Sequence, residues 1–297
     1  MLISELGEFG LIERFRKHIK LDPTVIKGSG DDCAVIKWDK FNYLLYTCDM
    51  IVEGVDFKRQ EDPYLVGRKA LAVSISDIAA CCGVPRYAVV SMGLPKNTPL
   101  AKIDLISRGI FDLAKKYKVN IVGGDLSRSD AIVIDVSLLG VVVKKDLVLR
   151  QGAKIGDLVF VTGKLGGSIR GKHLKFTPRV KEAGYLTKNF KINSMIDISD
   201  GFAQDLRHIC EESKVGAVIF EELVPLSKEA RSIKEALFMG EDFELIFTLT
   251  RKEAARLLKK KMKGCYLVGE IVDKKYGLRF EDKKEIIFKR GSGFRHF

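Results

Sequence analysis

Six apolar stretches of this sequence run into acidic residues. They are GSGDDCAVI (Asp31, Asp32), LLYTCDM (Asp49), VSISDIAA (Asp77), NIVGGDLS (Asp125), MIDISDG (Asp197, Asp200) and MGEDFELIF (Glu241, Asp242). A chain that buries such stretches must bring their carboxylates to the margin of its core, because an unpaired ionised carboxylate is costly inside. Strand ends that open on a common cleft meet that demand. Each acid alone would serve as a helix cap or a turn residue. Asp77 resists that explanation, since it lies within an apolar pattern of helical period. The recurrence argues for one shared site.

Two carboxylates about 4 Å apart repel by roughly 4 kcal/mol at an effective dielectric near 20. Protons or divalent cations would relieve that repulsion. The four histidines, His18, His173, His208 and His296, are scattered, and the six cysteines show no C-x-x-C spacing. The expected ion is therefore a hard one held by oxygens, and Mg²⁺ usually arrives with substrate phosphates. The acids are read as holding magnesium, and the magnesium as holding a nucleotide. The stretch GGSIRGKH (166–173) imitates a phosphate loop but has His173 where a metal-binding hydroxyl belongs. GSGDDC likewise breaks the dinucleotide pattern at Cys33.

With 297 residues, 46% of them hydrophobic, the chain is long enough for two domains with real cores. No apolar run approaches the ~18 residues of a membrane helix, and the acidic start MLISELGEFGLIERF is unlike a signal peptide. A cytoplasmic enzyme is expected. The net charge of +12 is concentrated after residue 250, where fifteen basic residues face six acidic ones. These runs read as solvated faces, so nucleic acid is not the expected partner. Helical periodicity predicts helices over 63–82 and 99–117, with strands at 33–38, 43–49, 86–94, 120–125 and 131–143. The second half repeats the style, with strands at 157–163, 195–199 and 242–250. Helices are expected from 179, over 200–214 and 227–238, and from 251. Neither half alternates strand and helix regularly, so the fold class is α+β in two domains, 1–146 and 147–297, with the turn-rich seam KKDLVLRQGAKIGD between them.

The ordered series GDDCAVI, TCDMIVEGVDF, RKALAVSISDIAACCGVPRYAVVSMGLP, VGGD, LVLRQGAKIGD, IDISDGFAQDL and GEDFELIFT closely resembles the thiamine-monophosphate kinases. They belong to the superfamily of aminoimidazole ribonucleotide synthetase and selenophosphate synthetase. The resemblance runs from GEFGLIERF to GSGFRHF. It implies two mixed-sheet domains with packed helices, the N-terminal one pairing its sheet with that of a second subunit. It also implies ATP-dependent phosphorylation of thiamine monophosphate with several Mg²⁺ ions. By motif, the metal ligands would be Asp32, Thr47, Asp49, Asp77, Asp125, Asp197 and Asp200, with the Cys48 carbonyl. ATP would meet Tyr117, Gly124, Asp125, Arg150 and Ser199, and the thiamine end Glu241 and Phe294. Family members often carry His where this chain has Asp56, which would face the thiazolium or another metal.

The acceptor is a phosphate monoester with a second pKa near 6, so its oxygens are already anionic nucleophiles near neutral pH. No catalytic base is assigned. The alternative is a synthetase relative acting on another acceptor. Selenophosphate synthetase would want a reactive Cys in a Gly-rich segment before Cys33. A hydrogenase-maturation relative would want a C-terminal Cys, where this sequence reads Phe297.

Overall fold

The computed structural model describes residues 3–281 and residue 286. The first half contains α1 (Ile3–Arg16), β1 (Val25–Lys27), β2 (Ala34–Lys37), β3 (Asn42–Val52), α2 (Pro63–Ala80), β4 (Val84–Leu94), α3 (Leu100–Tyr117), β5 (Asn120–Arg128) and β6 (Val133–Val143). Its strands form one sheet in the order β1-β2-β3-β6-β4-β5. Only β4 and β5 run parallel, joined through α3 as a parallel pair requires. Along β6 core and outer positions alternate strictly, the signature of a sheet with one covered face. The covering elements are α2 and α3.

These two helices cross at a pair of glycines. A Cβ on Gly67 would lie 1.9 Å from the Ile106 carbonyl oxygen, and one on Gly109 would lie 2.0 Å from that of Tyr64. Any larger residue would force the helices apart. Helix α2 begins conventionally, with the Asp62 side chain accepting from Tyr64 N at 2.9 Å and Pro63 as its first residue. Thirteen of its 18 residues are buried, which removes the usual polar stripe and marks a helix enclosed on all sides.

The second half supplies the other cover. It contains β7 (Leu158–Thr162), α4 (Lys172–Lys175), α5 (Val180–Asn189), β8 (Ile192–Asp197), α6 (Phe202–Ser213), β9 (Gly216–Ile219), α7 (Ile233–Phe238), β10 (Leu245–Leu249), α8 (Arg251–Lys259), β11 (Cys265–Val272) and β12 (Leu278–Phe280). The sheet order is β12-β9-β11-β7-β10-β8, with β12 and β9 parallel and the rest antiparallel. Elements α4, α5 and β8 all pack on α2. Phe176 and Phe243 stack 4.1 Å apart and join the first domain's core cluster.

The two-domain α+β expectation thus holds. Two local expectations fail. The helix expected over 227–238 is confined to Ile233–Phe238, because the Ser227 hydroxyl accepts from Glu229 N and Ala230 N and closes a turn instead. Ser232 then caps the short helix through Glu235 N. Strand β9 lies in a stretch, VGAVIF, for which no element was expected. No helix among the described residues is long and apolar enough to cross a membrane.

Candidate active site

Asp77 lies on the fully enclosed helix α2, on the same stripe as Val73 and Lys69, four and eight residues back. That stripe, about 12 Å long, walls a cavity of about 610 Å³ between the domains. The end of β3 brings Asp49, the loop before β2 brings Asp31 and Asp32, and β8 with the loop after it brings Asp197, Ser199 and Asp200. Carboxylate oxygens of Asp32, Asp77 and Asp197 lie within 4.8 Å of one another.

Neutral donors fix this cluster from behind. Thr47 donates to Asp77, and Ser76 Oγ donates to Asp197 Oδ2 at 2.6 Å. Arg150 is the nearest cation: its guanidinium donates to Asp32 Oδ1 at 2.6 and 3.2 Å, and its backbone N–H to Asp31 at 3.1 Å. Burial works against the Arg150 charge, yet Asp32 and then Asp31 outweigh it and keep the guanidinium firmly protonated. Arg150 does not balance the cluster. Burial, followed by mutual repulsion, raises Asp197 to about 8 and Asp31 to about 7. Asp49 rises to about 6, chiefly through burial, and Asp77 goes well above its ordinary value for the same reasons.

Asp32 Oδ2 and Asp49 Oδ2 are buried without a hydrogen-bond partner among the described residues. Orphaned, mutually repelling carboxylate oxygens facing one cavity match the donor set of a hard divalent cation. Asp205, absent from the sequence reading, accepts from the N–H groups of Asp200 and Gly201 at 3.1 Å and ties down the start of α6. Its spacing, four residues into a helix after a glycine, is the signal that would have found it.

These shifts set a pH dependence. The carboxyls of Asp31, Asp49, Asp77 and Asp197 have higher pKa values folded than unfolded, so the folded state holds extra protons. Stability is greatest where both states are protonated, below about pH 4, and falls as pH rises toward 8. In chelator, the melting temperature is expected to be lower at pH 8.5 than at pH 5 by on the order of 5 °C. Excess Mg²⁺ should remove most of that slope, and calorimetry at both pH values checks it. A metal-free protein that is more stable at pH 8.5 would refute this account of the cluster.

Other expected site residues lie apart. Tyr117, at the end of α3, is half-buried and donates to the Pro178 carbonyl at 3.2 Å. Gly124 and Asp125 are exposed on β5, the sheet edge. Register aligns Asp49 with Val136, Val136 with Val90, and Val90 with Gly124. Three strand spacings, roughly 14 Å, therefore separate Asp49 from the Gly124–Asp125 pair within one chain. The Cys48 side chain points to the outer sheet face, 3.1 Å from Asp135 Oδ1. Phe294 lies outside the described residues.

At the other end of the α2 stripe, Glu241, Phe243, Asp56 and Lys69 line the cavity. Asp56 is folded into its own turn, Oδ2 accepting from Val52 N at 2.7 Å and its carbonyl from Lys69 Nζ at 2.6 Å. The phosphate-loop imitation at 166–173 has other work. Gly166 N–H donates to Asp242 Oδ2 at 2.9 Å, and Lys172 reaches Asp242 and Glu244 at 3.4 and 3.2 Å. Arg179 grips Glu244 with two N–H groups. The segment therefore braces the 241–244 turn. Lys69 and His173, also missed in the sequence, belong to this end. Lys69 was legible by the same anomaly as Asp77, a charge within an enclosed apolar helix.

Comparison with known proteins follows this geometry closely. The family models for AIR synthase related protein match residues 30–142 with the N-terminal domain and 152–280 with the C-terminal domain. A thiamine-monophosphate kinase from Buchnera aphidicola subsp. Schizaphis graminum is 38% identical, covering 99% of both chains. One from Aquifex aeolicus is 34% identical over 100% of both. Among solved structures, AaThiL complexed with AMPPCP and TMP superposes with a TM-score of 0.88 at 32% identity, covering 100% of this chain and 99% of that one. The hydrogenase maturation protein HypE in complex with ATP shares the fold, with a TM-score of 0.71 at 16% identity.

Proposed function

This chain belongs to the thiamine-monophosphate kinase family of AIR synthase related proteins, and from that premise we propose that it transfers the terminal phosphoryl group of ATP to thiamine monophosphate. The bond from the terminal phosphorus to the bridging oxygen of ADP breaks, and one from that phosphorus to an acceptor phosphate oxygen forms. The observation that carries the reading is the meeting of Asp32, Asp77 and Asp197 on a cavity that also holds Glu241. The relative that superposes over the whole chain was solved with an ATP analogue and TMP.

Asp32, Asp49, Asp77, Asp197 and Asp200, with oxygens of Thr47 and Cys48, would hold Mg²⁺. Bound there, Mg²⁺ would screen the phosphate charges that otherwise keep two anions apart. The chain's own work is placement. Arg150, already held by Asp31 and Asp32, supplies a cation for phosphate oxygens, and Ser199 lines the same cavity. The acceptor oxygens need no deprotonation, consistent with a cavity whose carboxyls are committed to one another. At the far end, Glu241 offers a negative charge to the thiazolium ring beside apolar Val73 and Phe243.

A homodimer accompanies this proposal. The outer face of the first sheet exposes Tyr46, Met50, Tyr87 and Val89, large apolar side chains of the kind that mark an interface. A second copy seated there would offer Gly124 and Asp125 of the partner subunit to a site from which the chain's own pair is three strands away.

Incubation with γ-labelled ATP, Mg²⁺ and thiamine monophosphate is expected to label thiamine diphosphate, and chromatography against a no-acceptor control reads it. ATP hydrolysis without labelled thiamine diphosphate would overturn the acceptor and favour a synthetase relative.

A further inference from the structure

Glu241 sits on a turn that is difficult to build. Gly240, Glu241 and Phe243 all have positive φ, at 72°, 56° and 48°, a conformation that costs side-chain-bearing residues on the order of 1 kcal/mol or more each. The turn is nevertheless buried, with Glu241 6% exposed. Ser168 Oγ donates to its carbonyl at 2.6 Å, and Glu241 N–H donates to the Ser199 carbonyl at 2.7 Å. The backbone is therefore pinned so that one carboxylate faces the seam between the domains.

Both oxygens of that carboxylate are held, one by each domain. Lys69, 1% exposed on α2 of the first domain, donates to Oε1 and also to the Asp56 carbonyl. His173, 2% exposed on α4 of the second domain, has Nδ1 3.2 Å from Oε2. An ionised carboxylate only accepts, so this approach is a hydrogen bond when Nδ1 carries the hydrogen. Lys69 Nζ also stands 3.2 Å from Nδ1 and can only donate, so the ring nitrogen serves either Lys69 as acceptor or Glu241 as donor, and the clamp requires the second. Nε2 is buried with no hydrogen-bond partner among the described residues, and Glu61 Oε1 stands 3.6 Å away. Burial disfavours the Glu241 charge, but His173 and Lys69 more than offset it and hold the carboxyl below its usual range.

We propose that Lys69 and His173 are positioning residues for the acceptor, clamping the two oxygens of Glu241 so that the anion offered to the substrate's cationic ring has one fixed place. This rests on the acceptor reading above and adds to it two residues from outside the acid motifs. A clamp of this kind acts on acceptor affinity. It leaves the nucleotide end of the cavity alone, because the hydrogen bonds and ion pairs of both residues among the described residues go to Asp56, Glu61, Glu241 and each other. Choosing a cationic acceptor then requires both domains, one supplying each jaw.

The test pairs kinetics with spectroscopy on the full chain. His173→Leu and Lys69→Met are each expected to raise KM for thiamine monophosphate about tenfold or more, with KM for ATP and kcat changed less than threefold. His173→Asn, which keeps a donor at the Nδ1 position, is expected to stay within threefold of the parent. Equal loss toward ATP, no loss, or failure of the Asn variant to rescue would overturn the clamp. Imidazole ¹⁵N shifts of the parent chain read the same geometry without turnover, the His173→Asn spectrum assigning the signal among four histidines. A hydrogen on His173 Nδ1 is expected, and a bare Nδ1 overturns the clamp even in a folded, active protein. If the parent chain fails to phosphorylate thiamine monophosphate, the acceptor reading falls, and the spectrum alone decides whether Glu241 is clamped.

Discussion

Replacing Asp77 with Asn is expected to lower phosphoryl transfer about a thousandfold or more, leave the fold intact, and raise the melting temperature of the metal-free protein. The first effect follows from charge. A carboxylate about 4 Å from a charged neighbour is worth roughly 4 kcal/mol per unit charge at an effective dielectric near 20, close to three powers of ten. The second follows from shape, since the Asn carbonyl keeps the acceptor that Thr47 uses. The third follows from what is relieved. Asp77 is buried against Asp49, Asp197 and Asp32, and without a cation each of these raises the cost of its charge. A neutral amide removes that cost, so the gain should be largest near pH 8 and vanish near pH 4. The stabilisation by Mg²⁺ should shrink in parallel. Turnover assays and calorimetry with and without Mg²⁺ decide the matter. Activity within tenfold of the parent, or a lower metal-free melting temperature, would remove Asp77 from the metal-holding set.

The same residue shows how much of the molecule the sequence discloses. Asp77 stands out because helical period and burial contradict its charge, and that contradiction needs no tertiary knowledge. The strand-end acids are readable for a similar reason: Asp49 and Asp197 close apolar runs that must be inside. Sheet order is another matter. That β6 inserts between β3 and β4 depends on long-range pairing that local pattern does not encode, and so does the isolation of Asp125 from Asp49. The helix expected over 227–238 failed because a serine hydroxyl satisfied backbone groups that propensity alone assigns to a helix. His173 was invisible for a different reason. Its partners, Lys69 and Glu241, lie 104 and 68 positions away, and only the meeting of two domains gives the ring a purpose.

Mixed dimers of two inactive variants are expected to recover activity if Asp125 serves the partner's site. Asp77→Asn and Asp125→Asn homodimers should each fall to about a thousandth of parental turnover, since each removes one charge from every metal set. Co-refolded in equal amounts, half of the dimers carry one chain of each kind. In such a dimer one site combines both lesions, while the other combines an intact Asp77 cluster with the intact Asp125 of the partner subunit. Recovery to about a quarter of parental activity follows, by counting sites in a two-fold assembly. If Asp125 served its own chain instead, every site in the mixture would carry a lesion and nothing would be regained. The roughly 14 Å between Asp49 and β5 within one sheet argues for the first outcome. The exposed apolar outer face, on which a second copy would sit, argues the same way. The assay separates the two arrangements by more than a hundredfold, and size-exclusion chromatography of the same mixture shows whether the recovered activity travels with a dimer.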